Sequence, residues 1–197
     1  MVAPPLPPPP PPPPPPPTTP GDVLLQDDFA RTERSLGEAW QPLSGAWLTD
    51  GRGISDRDGG NLASTRVTCF DCRVEARVVG FGVRETALFL RGQGAGAQDR
   101  YEVVLRSNGA VQIRRWSGGS LATLAESASG IDVRDYATLS LQATGRSPVQ
   151  LTAYVNGRAL LTATDTGALA LGQGGSAGLW TTHAGVVFDD FKLVTSK

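Results

Sequence analysis

The chain has 197 residues and a formal net charge of −1, and it contains no block of basic residues. This balance argues against nucleic acid or an anionic membrane surface as the main partner. No apolar run reaches the roughly 20 residues that a membrane-spanning helix requires. The first residues also lack the apolar stretch of a secretory signal peptide.

The beginning of the chain is dominated by proline, and residues 7–17 are eleven consecutive prolines. Proline has no amide donor and a fixed φ, so this run cannot join a helix or a sheet. We therefore predict a disordered, proline-rich linker or stalk over residues 1–21, in which the run forms a polyproline II rod about 35 Å long. Residues 22–197 are predicted to form one domain with a two-layer core.

The remainder of the chain consists of short segments in which apolar and polar residues alternate. Residues 149–155 and 159–163 alternate on either side of Asn156-Gly157. This dipeptide predicts a hairpin because both of its residues tolerate positive φ. Ser107-Asn108-Gly109 marks a second hairpin after residues 101–106. No long window shows a 3.6-residue period, so we predict an all-β, antiparallel two-sheet sandwich of about a dozen strands.

The two ends of this domain carry similar motifs. Asp189-Asp190-Phe191 near the end of the chain repeats the pattern of Asp27-Asp28-Phe29 in the first apolar run. Chain termini often lie close together at the surface of a compact domain. We therefore expect the first and last strands to be neighbours in one sheet.

Several of these segments, taken in order, resemble a known superfamily. They are Ser44–Trp47, Phe70–Val78, Ala87–Arg91, Tyr101–Leu105, Val155–Arg158 and the closing FDDFKL. Together they resemble the concanavalin A-like lectin/glucanase superfamily, in particular its laminin G-like and 3-keto-disaccharide hydrolase-like domains. The resemblance covers about residues 23–194 and rests on strand order and turn chemistry. It implies a jelly roll whose concave face is the ligand surface.

Glucanase catalysis is not expected for this chain. The glucanases of the superfamily place two glutamates and an aspartate at alternating positions of one strand, because attack and proton donation require two carboxyl groups in one cleft. The glutamates of this chain are Glu33, Glu38, Glu75, Glu85, Glu102 and Glu126, and they do not form that pattern. Whether the chain is an enzyme of another kind stays open, since residues 178–185 resemble the histidine-containing region of the 3-keto-disaccharide hydrolase-like domains.

Binding of a glycan is the favoured function. Sugars are held by aromatic faces together with planar hydrogen-bonding side chains. Alternation places Arg114 and Trp116 opposite Val111 and Ile113, so both should face away from the core. The candidate ligand-binding residues are Arg91, Arg114, Trp116, Tyr154, Trp180 and His183. Trp40, Trp47 and Tyr101 are expected in the core, and residues 92–97 are expected to form a flexible connection.

Two further groups of residues have alternative interpretations. Cys69 and Cys72 form either a short-range disulfide in an exported protein or two free thiols, because a zinc site would require four ligands. The resemblance implies a structural calcium ion, for which Asp189 and Asp190 are the candidate ligands. The alternative is a solvated or turn-capping acidic pair. Crowding by Asp27 and Asp28 would favour a cation, since like charges in contact repel each other.

The sequence thus predicts a non-catalytic carbohydrate- or surface-binding module of an exported protein. Its partner would be a polysaccharide or glycan, its location extracellular, at the cell surface or periplasmic, and the domain monomeric. One alternative is a glycoside hydrolase that acts on modified disaccharides and depends on His183 or Arg91. Another is a structural or adhesive domain that binds a surface protein, which would expose a wide apolar patch.

Overall fold

The computed structural model describes residues 21–32, 35–49, 51, 53–56, 60–79, 85–128, 131 and 136–196. The linker predicted for the start of the chain therefore lies outside the described residues, apart from its last position. The described residues form strands and turns, and no helix among them could span a membrane.

The described part of the chain contains fifteen β-strands, all paired antiparallel. They are β1 (Val23–Asp27), β2 (Trp40–Ser44), β3 (Trp47–Thr49), β4 (Ile54–Asp56), β5 (Asn61–Cys69), β6 (Cys72–Val79), β7 (Glu85–Gln93), β8 (Asp99–Arg106), β9 (Val111–Ser117), β10 (Ser120–Ser127), β11 (Ala137–Thr144), β12 (Val149–Val155), β13 (Arg158–Asp165), β14 (Gly175–Thr181) and β15 (Val187–Thr195). One sheet has eight strands in the order β13-β12-β11-β6-β15-β4-β3, with β1 also paired to β15. The other has seven strands in the order β10-β9-β8-β7-β14-β5-β2.

The two sheets enclose one hydrophobic core, which confirms the predicted jelly-roll sandwich. Strand β6 shows the alternation clearly, because Val74, Ala76 and Val78 are buried while the intervening side chains are partly exposed. Each large apolar side chain that is fully buried contributes about 1.5–3 kcal/mol to folding. Trp40, Trp47 and Tyr101 lie in this core as expected.

The predicted hairpin between β12 and β13 is confirmed by its backbone angles. Asn156 and Gly157 have φ values of 49° and 76°, as a two-residue hairpin turn with positive φ at both positions requires. At the second hairpin, Gly109 donates its amide to the carbonyl of Arg106 over 2.9 Å. The dipeptide and tripeptide signals were therefore sufficient to locate both turns.

The first and last strands are neighbours, as their related motifs predicted. Val23 lies opposite Val194 and Asp27 lies opposite Phe191. Strand β15 is not an edge strand, however, because its other side pairs with β6. In the described part of the chain, the strands of this sheet that pair with a single neighbour are β13, β3 and β1.

The seven-stranded sheet is irregular on both sides of Ala177 in β14. On one side, Ser176 and Gly178 of β14 pair with Gly92 and Phe89 of β7. Only Ala177 lies between the first two residues, but Leu90 and Arg91 lie between the other two, so β7 has one extra residue. On the other side, the same two residues of β14 pair with Thr68 and Ser64 of β5. Three residues of β5, among them Arg66, therefore lie opposite Ala177 alone. Bulges of this kind redirect side chains and are frequent beside functional sites.

Candidate functional site

The candidate site lies on the surface of the seven-stranded sheet that faces away from the core, called here the outer face. Directly opposed residues of antiparallel strands share a face. One row across the outer face contains Arg114, Glu102, Phe89, Gly178 and Ser64, from β9 to β5. Phe89 has 0% exposure although it is not part of the core cluster, so its neighbours on the outer face shield it from solvent.

A buried carboxylate lies near the centre of the outer face. Glu102 has 0% exposure, and its carboxylate accepts hydrogen bonds from Arg100 Nε over 2.6 Å and from Trp116 Nε1 over 3.1 Å. Burial raises the pKa of Glu102 above its usual value, although the positive charge of Arg100 opposes this effect. No ligand can reach this carboxylate unless its neighbours move.

A second ion pair covers the outer face beside the first. Arg114 donates from Nη1 and Nη2 to both carboxylate oxygens of Glu85, over 2.8 and 2.6 Å. These hydrogen bonds lower the pKa of Glu85, and the nearby Arg106 acts in the same direction. A bidentate pair of this type is a strong and geometrically defined interaction. The outer face over β7, β8 and β9 is therefore filled by interactions within the protein.

The outer face opens into a cleft over β14, β5 and β2. This cleft has a volume of about 320 Å³. Its floor is formed by β5 and β14, one wall by β2, and the opposite wall by the connection from β7 to β8. The lining residues are Gln41, Leu43, Ser64, Thr65, Arg66, Thr68, Gly92, Gly94, Ala95, Ala97 and Ser176.

The wall formed by residues 92–97, for which a flexible connection was expected, consists of the end of β7 and a hydrogen-bonded turn over residues 94–97. Ala97 donates its amide to the carbonyl of Gly94 over 3.2 Å and has an exposure of 2%. The carbonyl of Ala97 in turn accepts a hydrogen bond from Arg100 Nη1 over 2.9 Å. The cleft wall is therefore attached to the ion pair beneath Trp116.

Three polar side chains on the floor and walls of the cleft are exposed. They are the amide of Gln41, the guanidinium of Arg66 and the hydroxyl of Thr68. No carboxylate of the described residues lies within ion-pair distance of Arg66, and none lines the cleft. Among the described residues, the cleft thus offers hydrogen-bond donors and acceptors together with one positive charge that no carboxylate pairs with.

The structure brings three of the predicted ligand-binding residues onto the outer face. Arg114 and Trp116 face outward, as alternation predicted, but Arg114 is paired with Glu85 and the indole of Trp116 donates to Glu102. Trp180 is half-buried and lies opposite Ala87 and Leu62, outside the lining of the cleft. His183 is exposed in the turn that follows β14.

Tyr154 lies apart from these residues, on the eight-stranded sheet. Its hydroxyl donates to Gln142 Oε1 over 2.8 Å, and the guanidinium of Arg73 lies 4.3 Å from the centre of its ring. The strand alternation identified Tyr154 as outward-facing, but it could not indicate to which sheet β12 belongs. A single site cannot include both Tyr154 and the cleft, since the core of the sandwich separates them.

Arg91 points into the protein and does not reach the outer face. It has 1% exposure and donates from Nη1 to the carbonyl of Leu171 over 2.6 Å and from Nη2 to that of Gly145 over 2.7 Å. Its guanidinium also lies 4.7 Å from the centre of the Phe70 ring. The bulge in β7, where Arg91 has a φ of 55°, reverses the direction that regular alternation predicts. Arg91 therefore connects turns at one end of the sandwich.

Cys69 and Cys72 form a disulfide in the structure. The bond closes the turn between β5 and β6. The two residues within that turn both approach Arg91, because Asp71 Oδ1 lies 3.4 Å from Arg91 Nη2 and Phe70 stacks on the guanidinium. The disulfide and Arg91 thus organise the same end of the sandwich.

Both acidic residues predicted to bind calcium, Asp189 and Asp190, lie near Arg77. Asp190 is exposed, and its Oδ2 lies 3.8 Å from Arg77 Nε. Asp189 Oδ2 lies 2.6 Å from Arg77 Nη2. Asp27 accepts two hydrogen bonds from Arg31, over 2.8 and 2.7 Å. Within the described ranges, no group of three or more histidine, cysteine or acidic residues could hold a metal ion. Arg31 and Arg77 offset part of the negative charge that would favour a cation, and a calcium ion at Asp189 would compete with Arg77 for its carboxylate.

The cleft residues themselves were not found by the sequence interpretation. Arg66, Gln41 and Thr68 belong to segments without a recognisable motif, and they meet only because β2 and β5 are neighbours in the sheet. The glycines and alanines of residues 92–97 gave the one available signal, since small residues leave space beside a sheet.

Comparison with solved structures identifies the fold. The chain is similar to the carbohydrate-binding module CBM66 from Bacillus subtilis, with a TM-score of 0.68 and 22% identity over 80% of this chain and 96% of that one. It is also similar to a B. subtilis protein of unknown function with a galectin-like fold, with a TM-score of 0.68 and 13% identity over 91% and 98% of the two chains. A third similar structure is a β-glucanase from Bacillus licheniformis, with a TM-score of 0.65 and 12% identity over 90% and 99%.

These likenesses confirm the concanavalin A-like sandwich that the sequence resemblance implied. No protein-family model matches the sequence, and the search of curated proteins also finds no match. At these identities the similar structures establish the fold, and the function must be argued from the site.

Proposed function

We propose that this domain is a non-catalytic carbohydrate-binding module whose ligand occupies the cleft on the outer face. The observation that carries the proposal is the cleft itself, a polar space of about 320 Å³ between β2, β5 and the turn of residues 92–97. Its volume is near the lower end of the roughly 300–1,000 Å³ that is typical of small-molecule sites. A space of this size suits a short segment of a glycan.

The chemistry of the cleft suits sugar hydroxyl groups, which both donate and accept hydrogen bonds. Gln41 offers a donor and an acceptor on one planar group, Thr68 offers a hydroxyl, and Arg66 offers a planar set of donors. The wall formed by Gly92, Gly94, Ala95 and Ala97 contributes small side chains, so a sugar ring can approach the floor. The names of two similar structures, a carbohydrate-binding module and a β-glucanase, support a carbohydrate ligand.

The state of the carboxylates supports binding without hydrolysis. Glycoside hydrolases place two carboxyl groups on either side of the bond that is cleaved. On the outer face, Glu102 is completely buried and both oxygens of Glu85 are engaged by Arg114. None of the described residues that line the cleft carries a carboxylate.

We further propose that the domain is exported and monomeric, and that the proline-rich segment acts as its stalk. The disulfide between Cys69 and Cys72 supports export, because disulfides persist mainly in oxidising compartments. An exported domain of this kind would hold a polysaccharide at or outside the cell surface.

A glycan array incubated with the full chain tests the proposal, together with an assay for release of reducing sugar from each bound glycan. We expect binding to a defined set of glycans without hydrolysis. A leucine at position 95 (Ala95→Leu) should fill the cleft and reduce this binding without affecting the fold, because Ala95 is exposed. Silence across the array would refute the carbohydrate proposal. Sugar release that His183→Ala abolishes would instead establish the hydrolase alternative.

A further inference from the structure

The cleft has an unbalanced charge. Among the described residues that line it, Arg66 is the one that carries a charge. Two other arginines of the outer face, over its other half, have carboxylate partners, since Arg100 pairs with Glu102 over 2.6 Å and Arg114 pairs with Glu85 over 2.6 Å. Arg66 differs from these two arginines in carrying a charge that no carboxylate in the described part of the chain pairs with.

The local backbone places Arg66 in the cleft. Its amide donates to the carbonyl of Ala39 over 2.8 Å, which fixes this residue against the segment that leads into β2. On the other side, the irregularity of β5 leaves Arg66 without a partner residue on β14. The backbone is thus held, while the side chain remains exposed beside Gln41 and Thr68.

A ligand in this cleft would displace water from the guanidinium of Arg66. A charged group that loses its water requires a strong acceptor, because an unpaired buried charge is costly. Neutral hydroxyl groups satisfy a guanidinium weakly. A carboxylate or sulfate group accepts two parallel hydrogen bonds from its planar fork and also neutralises its charge.

We infer that the cleft selects a sugar that carries an anionic group, with Arg66 as the partner of that group. The inference rests on the proposed function and names its ligand class. The anionic group is a uronate carboxylate or a sulfate ester, and Gln41 and Thr68 contact hydroxyl groups of the same sugar. The described lining residues favour this choice, since none of them carries a negative charge that would repel an anion.

Matched glycan pairs test the inference on the full chain. Polygalacturonate is compared with its methyl ester, and dextran sulfate is compared with dextran, so that each pair differs in charge and not in sugar. Printed neutral, uronate-containing and sulfated glycans extend the comparison. We expect binding to the anionic member of at least one pair to exceed that to the neutral member by about tenfold or more. This preference should weaken at high salt. Whether it appears with polygalacturonate or with dextran sulfate shows whether the anionic group is a carboxylate or a sulfate.

Substitutions at position 66 test whether this arginine is responsible. Arg66→Gln should remove the preference for the anionic glycan, and Arg66→Lys should retain part of it, because lysine keeps the charge but not the planar fork. Arg158→Gln is the matched control, since Arg158 is exposed on β13 of the other sheet and the substitution changes the net charge equally. The melting temperatures of all variants should match that of the wild type.

Three results would overturn the inference. If neutral and anionic members bind equally and Ala95→Leu still reduces binding, the ligand class is wrong and the carbohydrate-binding function stands. If Arg66→Gln leaves the anionic preference unchanged, Arg66 is not the partner. Silence on every glycan would overturn the inference together with the proposed function.

Discussion

Replacing Arg91 by methionine should destabilise the domain and leave glycan binding by the folded protein unchanged. The sequence placed Arg91 among the ligand-binding residues, whereas the structure buries it and directs its guanidinium at the carbonyls of Leu171 and Gly145. Methionine keeps the apolar stem of the side chain and removes both donors. The two carbonyls then lose their partners at one end of the sandwich.

The size of this effect follows from the two hydrogen bonds. A hydrogen bond from a charged donor contributes about 1.5–3 kcal/mol, so Arg91→Met should lower the free energy of unfolding by about 3–5 kcal/mol. Small domains have total stabilities of about 5–15 kcal/mol, so much of the stability would be lost. For a domain of this size, the melting temperature should fall by about 10 °C.

Thermal unfolding followed by circular dichroism measures this change, with Arg158→Met as the control for loss of an exposed arginine. Glycan affinity is then measured at a temperature where both variants are folded. A fall of less than about 2 °C, combined with a loss of glycan affinity, would show that Arg91 contacts ligand and that its interior position is wrong.

Three further predictions concern packing, pH and calcium. Gly178→Ala should lower the free energy of unfolding by about 1–3 kcal/mol or more, because a Cβ there would overlap the carbonyl of Ala63 and the ring of Phe89. At Gly96 a Cβ has room, so Gly96→Ala should leave the free energy of unfolding unchanged in the same assay. Burial alone would raise the pKa of Asp165, but hydrogen bonds, first that of Arg115, outweigh it and lower the pKa. The ionised Asp165 therefore stabilises the fold above about pH 4, and this stabilisation is lost as the pH falls through the lowered pKa. Across this pH range, the free energy of unfolding should fall less steeply for Asp165→Asn than for the wild type. EDTA should leave the melting temperature unchanged; a clear decrease that added calcium reverses would contradict the arginine pairing seen at Asp189.

The fold was predictable because its signals are local. Alternation identified the strands, and Asn156-Gly157 located a hairpin whose two positive φ angles the structure shows. Alternation also predicted correctly that Arg114 and Trp116 face outward. Alternation could not show that Arg114 and Trp116 donate hydrogen bonds to Glu85 and Glu102, because these partners lie on other strands of the sheet.

The site was less predictable because it depends on long-range placement. A single extra residue in β7 turned Arg91 inward, and no feature of the sequence marks that bulge. The assignment of β12 to the other sheet separated Tyr154 from the remaining candidates. The cleft joins Gln41, Arg66 and the turn of residues 92–97, which are brought together only by the order of strands in the sheet.

The most direct test of the proposed function is the affinity of the full chain for a glycan selected on the array, measured by titration calorimetry for two variants. Ala95→Leu fills the cleft, and Tyr154→Ala removes the aromatic group on the opposite sheet. We predict a loss of affinity of about tenfold or more for Ala95→Leu and essentially unchanged affinity for Tyr154→Ala. The opposite pattern would place the glycan on the eight-stranded sheet and contradict the assignment of the cleft.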